Sequence, residues 1–149
     1  MVSERFVRFA RISSIFISCS FLSSCRGDTP ESAADTGARV VVAKYFDALA
    51  EQDWETAYAQ LHQDTRKRMD RAAFERGARA YRKRLGFQLA KVFIRSCNEQ
   101  GEKAIAQVVL TDEAGSAKAR YHEGTVLLQG TNGWGIVLPG NFGQKAASA

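Results

Sequence analysis

The thiol of Cys25 is the reactive group set in the most pointed context. It follows Leu22, Ser23 and Ser24 at the end of an apolar, serine-diluted run of thirteen residues, 12–24. Small side chains at Ser23 and Ser24 let the backbone enter a peptidase groove, and the sulfur is a nucleophile that a diacylglyceryl donor can alkylate. Cys19 offers the same atom, but only residues 12–18 of the run precede it and bulky Ile17 stands two positions upstream. Cys97, near the end of a strand-like segment, reads as a small apolar filler. The groups suited to acid–base work are Tyr45, Tyr58, Tyr81, His122 and Glu123. His122 and Glu123 are strand neighbours, so they point to opposite faces and cannot both line one cavity. The three tyrosines fall on apolar helix faces, where the ring fills the core and the hydroxyl reaches a rim. Tyr45, Tyr58 and Tyr81 are therefore the candidate pocket residues. His62 and His122 are the two histidines, and neither stands at ligand spacing from a second His or a Cys. Gly-x-Ser-x-Gly, Gly-Lys-Ser/Thr and Gly-x-Gly-x-x-Gly do not occur. These residues suggest no catalytic pair, metal or cofactor, and the expectation is a non-enzymatic domain.

The residues before Cys25 explain why that thiol matters. Arg5, Arg8 and Arg11 against Glu4 make the start basic. The apolar run that follows has the length of a signal-peptide core and falls short of the roughly 20 residues that span a bilayer. Together with Leu22-Ser23-Ser24-Cys25, this pattern resembles the signal peptide and lipobox of bacterial lipoproteins. The resemblance implies cleavage between Ser24 and Cys25, a diacylglyceryl lipid on Cys25 and attachment to a membrane in the cell envelope. More than one acyl chain is what stable anchoring requires. In bacteria that sort lipoproteins by the next residue, Arg26 in place of aspartate favours the outer membrane, facing the periplasm. Residues 25–37 are small and polar, a flexible tether with a root-mean-square reach of roughly 20 Å.

Three amphipathic helices are expected next. Val41, Val42, Tyr45, Phe46, Ala48 and Leu49 share one side of the segment 38–51. Asp53 caps a short helix carrying Trp54, Ala57, Tyr58 and Leu61, and the polar stretch 62–69 reads as a connection. Asp70 caps a third helix to Leu85, with Phe74, Gly77, Ala78, Tyr81 and Leu85 on one face, ended by Gly86. Strands are expected at 87–98, 103–111, 117–129 and 134–138, with turns at Gly101, Gly115 and Asn132-Gly133. An antiparallel meander with one apolar face needs helices laid across it, which gives an α+β domain. Residues 1–24 are then the signal, 25–37 the lipidated cysteine and tether, 38–140 the domain and 141–149 a disordered tail.

The helix VVAKYFDALAEQDWETAY, the helix AAFERGARAYRK and the closing strand Gly-Trp-Gly-Ile-Val resemble small bacterial lipoproteins with a nuclear transport factor 2-like (cystatin-like) domain. That resemblance covers about residues 38–138 and implies a cone: a curved four-stranded sheet wrapping a long helix, with a mouth that can take a small molecule. Relatives of this shape include isomerases, dehydratases and many non-enzymatic modules, so fold does not choose among them. A cone packed shut with Phe and Tyr points to binding of an envelope partner or a small apolar ligand. An open cavity enclosing a Tyr hydroxyl and an isolated carboxylate points to an isomerase- or dehydratase-like enzyme.

The formal charge of +5 is mild and argues against a nucleic-acid partner. Its distribution is uneven, with nine basic residues against Asp70 and Glu75 between Arg66 and Arg84. Arg71, Arg76, Arg79, Arg82 and Lys83 are expected on the helix face opposite Phe74 and Tyr81. They form either a solvated face tempered by Arg71–Glu75 and Glu75–Arg79 pairs, or a ridge by which a spacer or assembly module docks on an anionic surface.

Overall fold

The computed structural model describes residues 37–143. The signal, the lipobox residues Leu22, Ser23, Ser24 and Cys25, and the tether up to residue 36 lie outside the described residues, as do 144–149.

The chain order is α1 (Gly37–Glu51), α2 (Trp54–Ala59), α3 (Gln63–Arg68), α4 (Arg71–Leu85), β1 (Lys91–Gln100), β2 (Lys103–Thr111), β3 (Arg120–Gly130) and β4 (Gly133–Val137). The strands pair in sequence order, all antiparallel, so the domain is α+β, with helices on a four-stranded sheet. No helix among the described residues is long and apolar enough to cross a membrane.

The expected apolar face of α1 is the one that is buried. Val42, Tyr45, Phe46, Ala48 and Leu49 are all inside, joined by Ala38. The helix runs along β1, β2 and β4. Ala104 and Ala106 on the inner face of β2 are completely buried, and their small side chains let a helix carrying Tyr45 and Phe46 lie close. Both ends of α1 are satisfied by other elements. Glu99 Oε1 of β1 accepts the Ala38 N–H at 3.0 Å, a carboxylate at a helix N-terminus. Arg82 of α4 donates from one guanidinium nitrogen to the carbonyls of Leu49 and Ala50, groups that have no intrahelical partner at a helix end. The N–H of Asp53 returns to Ala48 O at 2.9 Å. The Asp53 carboxylate then caps α2 through Thr56 N at 3.0 Å.

Three local expectations are corrected. The stretch 62–69 is not an irregular connection, because Gln63–Arg68 forms a fourth helix. His62 Nδ1 accepts the Asp64 N–H at 3.3 Å, and Thr65 is buried with its hydroxyl accepting the Leu138 N–H at 3.4 Å. Polar residues here cap and anchor a helix rather than avoid one. Arg71 does not pair with Glu75; it reaches Glu55 of α2 at 3.1 Å. The expected disordered tail also starts too early. Phe142 stacks on Phe74 at 5.9 Å and on Tyr81 at 5.8 Å between ring centroids. Gly143, at φ +75°, brings its backbone against Gly77, where a side chain on it would collide.

The segment Gln60–His62 extends the sheet beyond β4. His62 N donates to Ile136 O at 2.8 Å, and Ile136 N donates to Gln60 O at 2.9 Å. This junction depends on Gly135, where an added Cβ would lie 2.5 Å from His62 Cα. A Gly135→Ala variant should therefore lose on the order of 2 kcal/mol, the usual scale for overpacking. Urea unfolding measures it, and unchanged stability would contradict this account of the β4 edge.

Candidate functional site

Strand alternation decides what faces the helices. On β3, Leu127 and Thr125 are buried, and two and four residues earlier the same side carries Glu123 and Tyr121. Opposite them in register on β2 stand Ala104, Ala106, Val108 and Leu110, so the inner face of these two strands is largely apolar with one carboxylate, Glu123, set into it. His122 points the other way and is exposed, as strand geometry requires.

Around Glu123 the helices and the returning C-terminal segment leave a cavity of about 760 Å³, within the range of small-ligand pockets. Its walls are largely aromatic, with Tyr45 and Phe46 from α1, Tyr81 from α4, Tyr121 from β3 and Phe142 after β4. Glu123 and Arg84 are the charged residues that line it. Tyr121, Arg84 and Asn141 are exposed and form its rim, whereas Tyr45 and Tyr81 are buried.

Tyr81 Oη donates to Glu123 Oε2 at 3.0 Å. Glu123 Oε1 is left without a hydrogen bond to any described residue, while no buried side-chain N or O among those residues lacks a partner, so Oε1 opens to the cavity. Burial raises the Glu123 carboxyl above its usual 4.5, opposed by the Tyr81 hydrogen bond and by the charge of Arg84. Tyr81 is driven well up by burial and then by Glu123, and Tyr45 by burial and the same carboxylate. Both phenols therefore keep their protons, and that of Tyr81 is the one donated to Glu123. Arg84 holds its guanidinium carbon 5.5 Å from the Tyr81 ring centroid, a cation over an aromatic face.

The sequence-derived candidates are thus separated. Tyr45 and Tyr81 line the cavity, but Tyr58 does not; its hydroxyl donates to Met69 O at 3.0 Å and its ring packs on Phe74. The Tyr81–Glu123 pair was missed, because its members lie 42 residues apart on different elements. The signal available was strand parity, which puts Glu123 on the same side as Leu127. His62 is buried at the β4 edge, away from this cavity. Among the described residues there is no group of three or more His, Cys, Asp or Glu that could hold a metal ion. Cys97 is buried in the core cluster.

The basic ridge is also broken up. Arg82 turns in to the end of α1 and is part-buried. Arg71 is drawn to Glu55, and Arg79 is paired with Glu75 at 2.8 Å beside the Trp54 ring. Arg76 and Lys83 remain on the outward face. Arg71 and Arg82 fall elsewhere because 100° per residue carries them round to the flank that meets α1 and α2. Exposed pairs of this kind stabilise by at most about 1 kcal/mol.

No family model and no curated protein matches this sequence. Among solved structures, the chain is similar to one from Campylobacter jejuni, provisionally described as an NTF2-like transpeptidase. Identity is 15 %, the TM-score is 0.47, and the match covers 66 % of this chain and 95 % of that one. A likeness of that size brings neither activity nor substrate with it.

The raised Glu123 carboxyl has a consequence for stability. Its folded-state value lies above the unfolded one, so between the two the folded chain holds more protons, and stability falls as pH rises through that window. Glu123→Gln keeps an acceptor for Tyr81 but cannot ionise. The stability difference between the variant and the parent should therefore shift in favour of the variant as pH rises from below 4.5 to 7, measured by urea unfolding at each pH. A pH-independent difference, or a shift in the opposite direction, would contradict the assignment.

Proposed function

We propose that this chain is a lipid-anchored envelope protein whose domain, residues 37–143, is nuclear transport factor 2-like and binds a small, largely apolar ligand in the aromatic cavity. One observation carries the ligand reading: about 760 Å³ of space is walled by aromatic rings, with a single inward carboxylate whose Oε1 is uncommitted. A space serving only as packing would be expected to close on apolar side chains. An envelope protein partner is the weaker version, since Arg82 of the basic face turns in to α1 and Arg71 and Arg79 are paired with Glu55 and Glu75. The anchor rests on the basic start, the thirteen-residue apolar run and Leu22-Ser23-Ser24-Cys25. A lipid on Cys25, cleavage after Ser24 and an outer-membrane location facing the periplasm are parts of this proposal.

A catalytic second reading draws on the same cavity, because a Tyr hydroxyl beside an isolated carboxylate is what an isomerase- or dehydratase-like site would contain. Glu123 would be the base. In the present geometry the Tyr81 proton is committed to that carboxylate, so the phenol is not free to serve as the acid and Glu123 Oε2 is a well-fixed acceptor. Binding is therefore the reading preferred here.

Two measurements test the proposal. Intact-mass analysis of the full-length product extracted from bacterial membranes should find a chain that begins at an acylated Cys25; one still beginning at Met1, or an unmodified Cys25, would remove the anchor. In nanodiscs, with empty discs as the blank, the same protein should bind the neutral probe 2-phenylethanol with a Kd of about 1 mM or tighter, roughly 4 kcal/mol. Thr125→Trp, which fills the cavity, should abolish that binding.

A further inference from the structure

Resting on the cavity reading above, we infer that the natural occupant is a small organic cation: a protonated amine on an apolar body, its N–H directed to Glu123 Oε1 among the rings of Tyr45, Tyr81, Tyr121 and Phe142.

The argument begins with the placement of charge. Two charged side chains line the cavity, and they stand at different depths: Glu123 is half-buried on the inner face of β3, whereas Arg84 is exposed at the rim. An entering ligand therefore meets a cation in the solvent-screened mouth and an anion inside, where screening is weakest. Tyr81 already occupies Oε2, so the acceptor that remains is Oε1. A ligand group seated there must donate a hydrogen bond, and a charged donor makes the stronger one.

The walls favour the same ligand class. Aromatic rings present electron-rich faces that attract cations, most strongly where water is excluded. The protein already makes one such contact of its own, Arg84 over the Tyr81 ring at 5.5 Å, so a ring next to a carboxylate accommodates positive charge at this position. The phenols of Tyr45 and Tyr81 are held protonated, so they add no competing negative charge. An anionic ligand could pair with Arg84 only at the mouth, and its charge would be repelled by Glu123 if it went deeper. A neutral alcohol could donate to Oε1 but would gain neither the charge nor the ring attraction.

The test compares probes of one shape on the lipidated full chain in nanodiscs, with empty discs as the blank: 2-phenylethylammonium, 2-phenylethanol and 3-phenylpropionate. The amine should bind about tenfold or more tighter than the alcohol, and the carboxylate weaker than both. In Glu123→Gln, its folding checked by thermal unfolding, the amine should lose its roughly tenfold preference over the alcohol, because the charge that favours it is gone. If the alcohol binds but the amine is no tighter, or the carboxylate is tightest, the cation inference is overturned and the cavity reading survives. An amine preference that persists in Glu123→Gln overturns it too. If none of the three binds, the cavity reading itself fails, and the inference with it.

Discussion

One ionisable oxygen pair on the largely apolar inner face of β2 and β3 sets the terms for this domain. Removing a carboxylate from water is costly unless it is hydrogen-bonded or paired. Glu123 cannot avoid that face, because strand parity ties it to Thr125 and Leu127, which are both buried. The compromise is a half-buried carboxylate with one oxygen held by Tyr81, a guanidinium at the mouth, and a space that an apolar side chain cannot fill without stranding the other oxygen. In this view the cavity follows from the carboxylate, and the surrounding elements exist to hold its walls in place.

Those walls come from well-separated parts of the chain, so their positions depend on a few fixed junctions. Tyr45 and Phe46 are placed by α1, whose ends are held by Glu99 of β1 and Arg82 of α4. Tyr81 is placed by α4, whose first turn is fixed by the Asp70 carboxylate accepting the Ala73 N–H at 2.7 Å. Phe142 arrives after β4 and is wedged against Phe74 and Tyr81, with the small Gly77–Gly143 contact making room for it. Arg82 illustrates how charge can serve architecture. Its guanidinium terminates a neighbouring helix, a use that turns it inward to the Leu49 and Ala50 carbonyls and leaves it part-buried.

Much of this frame was legible in the amino-acid sequence, because it rests on local periodicity. The buried stripes of α1 and α4 and the registers around Gly101 and Asn132-Gly133 follow from spacing alone, and the strand limits differ by only a few residues. What escaped was settled by contacts between distant segments. The 62–69 stretch looks polar because its polar groups cap α3 and bind β4, which only the Ile136 and Leu138 partners reveal. Tyr58 and Tyr45 are alike in sequence context, yet one hydroxyl finds Met69 O and the other side chain faces the cavity. Phe142 lies in a short glycine-bounded segment with no periodicity to read, and its burial depends on a groove formed by α4. The Tyr81–Glu123 pair spans two elements whose relative placement is a property of the whole fold. For Cys25 the sequence remains the sole source, since that residue lies outside the described region.

The central claim, that Glu123 is held desolvated at the cavity wall by its bond from Tyr81, is tested most directly by watching that carboxyl titrate. Carbon-13 NMR of the side-chain carboxyl, in the parent chain and in Tyr81→Phe, follows the charge without relying on stability or ligand. The account predicts a midpoint above the usual 4.5 in the parent, and a further rise in Tyr81→Phe as the stabilising hydrogen bond is lost. A midpoint at or below 4.5 in the parent, or one that does not move when the Tyr81 hydroxyl is removed, would contradict it.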